Sequence, residues 1–299
     1  MAALAEPAGR GPAIGDRNVK ILVFGRTGQV ACALSRLAPD AIFLSRAQAD
    51  LSDPASCAAA IAAHRPDAVI NAAAWTAVDA AETQEAAATV VNADAPAAMA
   101  QECAALGVPF VTISTDYVFD GTGESPWTPD APTGPVNAYG RSKLAGEQAV
   151  QVAGERSAIL RTSWVFSSDG ANFMKTMLRL SDTRAALSVV ADQIGGPTPT
   201  DAIAKAALQI ARALAGGHPG GIWHIAGAPY VSWAEFAEWI FACAARQVAV
   251  TPIATSDYPT PAARPLNSRL DCGSLTRDFG LIAPDWKAAV RADVERLLT

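Results

Sequence analysis

The rhythm of apolar and polar positions changes repeatedly along the first half of the chain. "VKILVFG" (19–25) is short, β-rich, almost continuously apolar, and ends on a glycine. That is the pattern of a strand covered on both faces. "QVACALSRLA" (29–38) follows as a helix, "AIFLS" (41–45) as a strand, and "PASCAAAIAAHRP" (54–66) as a helix opened by proline. "DAVINAAA" (67–74) reads as a third strand, "AAATVVNADAPAAMAQECAALG" (86–107) as a helix closed by glycine, and "VPFVTIST" (108–115) as a fourth strand. "AILRTSWVF" (158–166) reads as a fifth strand, with a helix carrying "NAYGRSKLAGEQ" (137–148) between the last two. Strands alternating with helices of roughly 10–15 residues predict βαβ units and a parallel sheet covered on both faces.

Beyond Ser167 the rhythm loosens. "ANFMKTMLRL" (171–180), "TDAIAKAALQIARALA" (200–215) and "WAEFAEWIFACAA" (233–245) read as helices, and "GIWHIAG" (221–227) as a short strand. "TSDYPTPAARPLNSRL" (255–270) is Pro-rich and reads as an ordered loop. The start, residues 1–17, is Ala/Gly/Pro-rich with no apolar stretch of signal-peptide length, and is expected to be a disordered tail.

Composition narrows the classes. Of 299 residues 51% are hydrophobic and 17% charged, the balance of a globular chain with a substantial core. A net charge of -6 offers no field for a phosphate backbone, so nucleic acid is not an expected partner. No apolar run approaches the roughly 18 residues of a membrane span, so no membrane partner is expected either. The five cysteines are scattered and form no CxxC pair, which fits a reducing, cytoplasmic location. His64, His218 and His224 show no ligand spacing, and no metal site is expected from them.

Candidate chemistry gathers at the predicted strand ends. "VFGRTGQVA" places Gly25 and Gly28 between the first strand and its helix. The first glycine permits a tight turn, and the second lets backbone approach a pyrophosphate at the helix N-terminus. Ala31 supplies the third small residue. The end of the second strand carries Ser45 and Arg46 in place of the acid that would hold an NAD ribose. A guanidinium there suits a 2′-phosphate and points to NADPH, the other reading being a solvated surface charge. Asp50 and Leu51 follow, placed to meet an adenine edge and face. The expected fold is therefore a Rossmann-like, doubly wound α/β sheet. Residues 18–166 would form a dinucleotide-binding domain, and 167–299 mainly a substrate-binding lobe interleaved with the end of the sheet.

The fourth strand ends in Ser114, Thr115, Asp116 and Tyr117, where ligands of an open parallel sheet lie. Tyr139 and Lys143, four residues apart, share one face of the next helix. An ammonium beside a phenol is expected to lower its pKa toward neutrality, making Tyr139 a proton donor for a ketone reduced by hydride. A Thr115 hydroxyl would orient the carbonyl oxygen, and Lys143 would also hold the nicotinamide ribose.

These residues resemble the extended short-chain dehydrogenase/reductase superfamily and, within it, the dTDP-4-dehydrorhamnose reductase family. The resemblance rests on "FGRTGQVA", "VINAAAWTAVDAAE", "STDYVFDG", "NAYGRSKLAGE", "LRTSWVF", "DQIGGPTPT" and "RPLNSRLD", in order from Val19 to Asp271. It implies Thr115, Tyr139 and Lys143 as catalytic residues. It implies Gly28, Gln29, Val30, Asp50, Leu51, Ala74 and Thr76 as cofactor contacts, and Val78, Asp116, Tyr117 and Trp164 as residues facing a nucleotide-sugar. Trp164 reads either as a sugar-stacking surface or as core. Asn267 and Arg269 lie in the Pro-rich segment, where the arginine pairs either with a diphosphate or in a salt bridge between lobes.

The implied activity is NADPH-dependent reduction, with NADH possible, of the C4 ketone of dTDP-4-dehydro-6-deoxy-L-mannose to dTDP-L-rhamnose. Open alternatives are a reductase for another dTDP-4-keto-deoxysugar and a non-catalytic, cofactor-binding regulatory subunit. An epimerase or dehydratase of the superfamily is less favoured, though Asp116 offers a further acid. Some members of the family dimerise through a Mg2+ ion held by acidic side chains. Here Ala33 stands at one of those positions and Asp201 at another, so a magnesium bridge is not expected, and the chain is expected to be a monomer or weak homodimer.

Overall fold

The structure, a computed structural model, describes residues 19–299; the expected disordered tail lies outside the described residues. Six strands form one wholly parallel sheet. They are β1 (Ile21–Phe24), β2 (Ile42–Leu44), β3 (Ala68–Asn71), β4 (Phe110–Thr115), β5 (Ser157–Thr162) and β6 (Gly221–Ile225). Their spatial order is β6-β5-β4-β3-β1-β2. The chain thus reverses direction across the sheet between β1 and β3, and the crevice for a ligand opens at the carboxyl ends there.

The apolar periodicity explains the layers. In β1, Ile21 and Val23 face one side and Leu22 and Phe24 the other, all buried. The first side is covered by α1 (Gln29–Leu37) and the long helix Thr200–Ala215. The second side is covered by α2 (Pro54–His64), α3 (Ala95–Leu106) and α4 (Ala138–Ala153). A separate apolar cluster lies outside the sheet. Phe166, Met174, Leu187, Phe236, Ile240, Trp286 and Val290 pack together there, contributed by residues beyond β5. The sixth strand of the sheet also comes from that second half of the chain, pairing with β5 from Ala158↔Gly221 to Thr162↔Ile225.

Three elements differ from the periodicity. The run 158–166 is not one strand: β5 stops at Thr162, and Val165–Phe166 pairs instead with Thr198–Pro199. Between them Trp164 takes a left-handed backbone (φ 47°), which turns the chain out of the sheet. The run 86–107 is a helix Glu85–Thr89, a π-helical stretch Val90–Asp94 and then α3. Finally, Ala186–Val190 and Ala249–Ile253 form a two-stranded parallel pair that the apolar pattern does not reveal; of its residues only Leu187, Val189 and Val190 are buried.

Candidate active site

The site is assembled where β1, β3 and β4 end. Gly25 holds φ +109°, and a Cβ there would stand 3.4 Å from the Ala72 carbonyl carbon and oxygen. Its amide donates to the Leu44 carbonyl at 3.0 Å, closing the turn over β2. Gly28 caps α1 without a side-chain hydrogen bond, and the first turn of α1 holds no acidic residue. The amides of that turn are therefore free for an anion, and the positive end of the helix dipole supports it. Val30 is half-buried behind them. These features fit the pyrophosphate of a dinucleotide.

Gln29 departs from a simple cofactor contact. Its Oε1 accepts from Ser167 Oγ at 3.0 Å and Asn172 Nδ2 at 2.8 Å, so the side chain ties α1 to the segment 167–172. Only its backbone remains for a ligand.

At the end of β2, Arg46 Nε donates to Asp50 Oδ2 at 3.0 Å with the arginine side chain 82% exposed. Asp50 Oδ1 accepts the Ser52 amide at 2.9 Å, and these bonds, Ser52 first, pull its pKa down to about 2. Both charges are thus paired with each other while the guanidinium stays open on its outer side. Ser45 Oγ donates to Gln48, which leaves Arg46 as the donor on this rim. Leu51 is buried beneath it.

Beyond β3, Ala74 and Thr76 are exposed and Val78, opening a short helix, is half-buried. This loop is held by Asn92, which bonds both the amide (2.9 Å) and the carbonyl (3.1 Å) of Trp75 and reaches Ser142 Oγ at 3.0 Å on α4. Asn92 lies in the π-helical stretch, is buried, and escaped the sequence reading. An asparagine four residues before Pro96 in a largely apolar helical run was the available signal.

β4 delivers Ser114, Thr115 and Asp116, all buried, and Tyr117, half-buried. Thr115 Oγ1 donates to Asp116 Oδ1 at 3.0 Å and accepts the Tyr117 amide at 3.2 Å. Among the described residues, Asp116 Oδ2 and Ser114 Oγ are buried without a hydrogen-bond partner. Burial pushes the Asp116 carboxyl up to about 6, against the hydroxyls of Ser268 and Thr115.

On α4, capped by Asn137 at the Gly140 amide (2.8 Å), Tyr139 packs edge-on to Tyr117 with ring centroids 5.6 Å apart. Lys143 is buried, and its Nζ donates to the Ile113 carbonyl of β4 at 2.7 Å. Burial lowers the Lys143 pKa to about 8, and the Glu147 charge opposes it. The electrostatics differ from the expected acidified phenol. Burial pushes the Tyr139 pKa up, the Thr115 hydroxyl pulls it down, and the Asp116 charge raises it further. The reason is desolvation: the phenolate and the ammonium each lose water on burial, and that loss is the largest cause at both groups.

The Pro-rich segment closes one side. Asn267 is buried and bonds the carbonyls of Thr122 (3.3 Å) and Ser125 (2.9 Å), so it is a loop clasp. Arg269 donates to Asn267 Oδ1 at 3.0 Å, and among the described residues it has no carboxylate partner. That removes the salt bridge between lobes as its role. Trp164 stacks on Trp233 with ring centroids 3.6 Å apart, so one indole face is already covered. Ala33 is fully buried, and Asp201 is paired with Arg36 at 3.0 Å, where Arg36 also meets Asp169 at 2.6 Å.

A glycine turn at the switch point, a hydroxyl at the end of β4 and a Tyr/Lys pair on the helix behind it define an extended short-chain dehydrogenase/reductase. Residues 19–299 match the family model described as the RmlD substrate binding domain, and the chain belongs to that family. It is 44% identical over 290 residues to the dTDP-4-dehydrorhamnose reductase of Sinorhizobium fredii, covering 94% of this chain and 98% of the relative. Against the enzyme of the same name from Burkholderia thailandensis the identity is 45%, covering 94% of this chain and 100% of the relative. A solved structure of dTDP-4-dehydrorhamnose reductase from Bacillus anthracis in complex with NADP superposes with a TM-score of 0.88 at 32% identity, covering 94% of this chain and 100% of that one.

Proposed function

We propose that this chain is a dTDP-4-dehydrorhamnose reductase, reducing the C4 ketone of dTDP-4-dehydro-6-deoxy-L-mannose to dTDP-L-rhamnose at the expense of NADPH, with NADH as a weaker substitute. Gly25, Gly28 and the backbone of Gln29 and Val30 take the pyrophosphate. Arg46, turned outward from Asp50, takes the 2′-phosphate. Leu51, Ala74 and Thr76 line the remainder of the cofactor, and Val78, Asp116, Tyr117, Trp164 and Arg269 face the sugar nucleotide. Residues 18–166 carry the dinucleotide and 167–299 mainly the substrate.

A nicotinamide dinucleotide held by these residues would supply the hydride for sugar C4. Tyr139 supplies the proton to the oxygen that becomes an alkoxide. A phenol pushed up by burial is fully protonated at neutral pH, the state a donor needs, and an alkoxide is far more basic than the phenolate it leaves. The buried Lys143 ammonium offsets the negative charge left on Tyr139. Thr115 holds the ketone oxygen; its single proton points at Asp116, so it donates to the substrate when Asp116 itself is protonated or displaced.

The observation that supports this reading most is that Thr115 ends β4 while Tyr139 and Lys143 stand one turn apart on α4, with Lys143 Nζ fastened to the Ile113 carbonyl of β4. NADPH oxidation with the dTDP-4-keto sugar tests it: Tyr139→Phe is expected to lose at least about a hundredfold in kcat while binding NADPH as the parent does. Equal turnover in the two would remove Tyr139 as donor, and the product's NMR spectrum fixes the stereochemistry. The pairing of Asp201 with Arg36 supports a metal-free monomer or weak homodimer. Among the described residues no helix is long and apolar enough to cross a membrane, which is compatible with a cytoplasmic place beside nucleotide-sugar precursors.

A further inference from the structure

Tyr139, Lys143 and Glu147 stand four residues apart on α4 and therefore share one face. Glu147 is 2% exposed, and Arg161 on β5 is also 2% exposed. Arg161 Nε meets Glu147 Oε1 at 2.9 Å and Nη2 meets Oε2 at 2.6 Å, a bidentate fork. Arg161 Nη1 donates to the Pro129 carbonyl at 3.0 Å, and its guanidinium lies 5.0 Å from the Phe119 ring centre. The pair is thus held on every side.

A buried ion pair is weak evidence for stability, because an apolar pair of similar volume packs about as well. What an apolar pair could not do is present a fixed negative charge one turn beyond Lys143. From β4, Lys143 receives only the neutral Ile113 carbonyl. In the π-helical stretch the buried polar group is the neutral Asn92, spent on Ser142 and Trp75, while the charged Asp94 is exposed. His224 on β6, 3.4 Å from Arg161 Nη1, is pushed down to about 3 by burial and the Arg161 charge, so it is neutral. Asp130 lies on the outer side of His224 at the surface. Glu147 is then the charge that opposes the desolvation of Lys143, and Arg161 both fixes it and tempers it.

We propose that the Glu147–Arg161 pair is a positioning device for the reductase site, in which the Glu147 carboxylate keeps the buried Lys143 ammonium charged and Arg161 sets where that carboxylate sits. The proposal rests on the reductase reading above. Activity falls as Lys143 loses its proton, because a neutral amine no longer offsets the charge left on Tyr139. The alkaline limb of kcat/KM then follows the Lys143 ammonium, which burial brings down to about 8.

The test is the pH profile of kcat/KM for the full chain with NADPH and the dTDP-4-keto sugar. Glu147→Gln is expected to draw the alkaline limb down by about one pH unit, an about tenfold loss near pH 8.5 that shrinks toward pH 6.5. Arg161→Gln is expected to move the limb the opposite way. The double variant, which leaves no unpaired buried charge and so keeps the fold if a single change does not, is expected between the parent and Glu147→Gln. Unmoved limbs, or single variants shifting in the same direction, would overturn the proposal and leave a purely structural pair. A parent chain without turnover would remove the reductase reading and this inference with it.

Discussion

Asp116 is costly to the fold. Its carboxyl is 2% exposed, one oxygen has no hydrogen-bond partner among the described residues, and burial pushes it up to about 6 from an ordinary value of 3.8. The folded chain therefore holds this proton to higher pH than the unfolded chain does. Its contribution to stability falls as pH rises from about 4 to about 6 and stays low above that, a difference on the order of 3 kcal/mol. Asp116→Asn is expected to raise the unfolding midpoint in urea at pH 7, to change it little at pH 4, and to slow turnover. A midpoint at pH 7 at or below the parent's would contradict this. At this scale the sequence displayed Thr115, Tyr139 and Lys143 through strand-end position and helical spacing. It did not display which bonds those groups make, because Lys143 reaches the Ile113 carbonyl of β4 only once α4 has packed on the sheet.

The helix α4 shows how closely elements must approach for the site to form. A Cβ on Gly146 would stand 2.0 Å from the Asn92 carbonyl oxygen, so the glycine lets α4 lie against the π-helical stretch. Gly146→Ala is expected to cost about 1–3 kcal/mol or more in thermal unfolding, and to raise KM for NADPH because Asn92 no longer holds the loop of Ala74 and Thr76. Ordinary stability and KM in that variant would show that the contact relaxes freely. The strands and helices of the sheet were legible because their apolar periods are long and regular. The break at Trp164 was not, since a left-handed backbone at a tryptophan leaves no mark on hydropathy.

Across the molecule, the face made by α1 and the helix Thr200–Ala215 carries Arg36 between Asp169 and Asp201. One guanidinium already bridges both carboxylates, and the aliphatic Ala33 adds no ligand. EDTA is accordingly expected to leave both NADPH oxidation and the sedimentation coefficient unchanged, and added Mg2+ to shift neither; a Mg2+-dependent rise in mass would show a metal-bridged dimer. What the amino-acid order determined unaided is the run of βαβ units, the glycine turn at their start and the Tyr/Lys face beside a hydroxyl-ended strand, because each depends on residues close together along the chain. Only the tertiary structure decided that Gln29 and Asn267 are clasps, that Glu147 finds Arg161, and that burial raises Tyr139 and lowers Lys143. Partners distant in sequence and the loss of water around a charge exist only once the layers have closed.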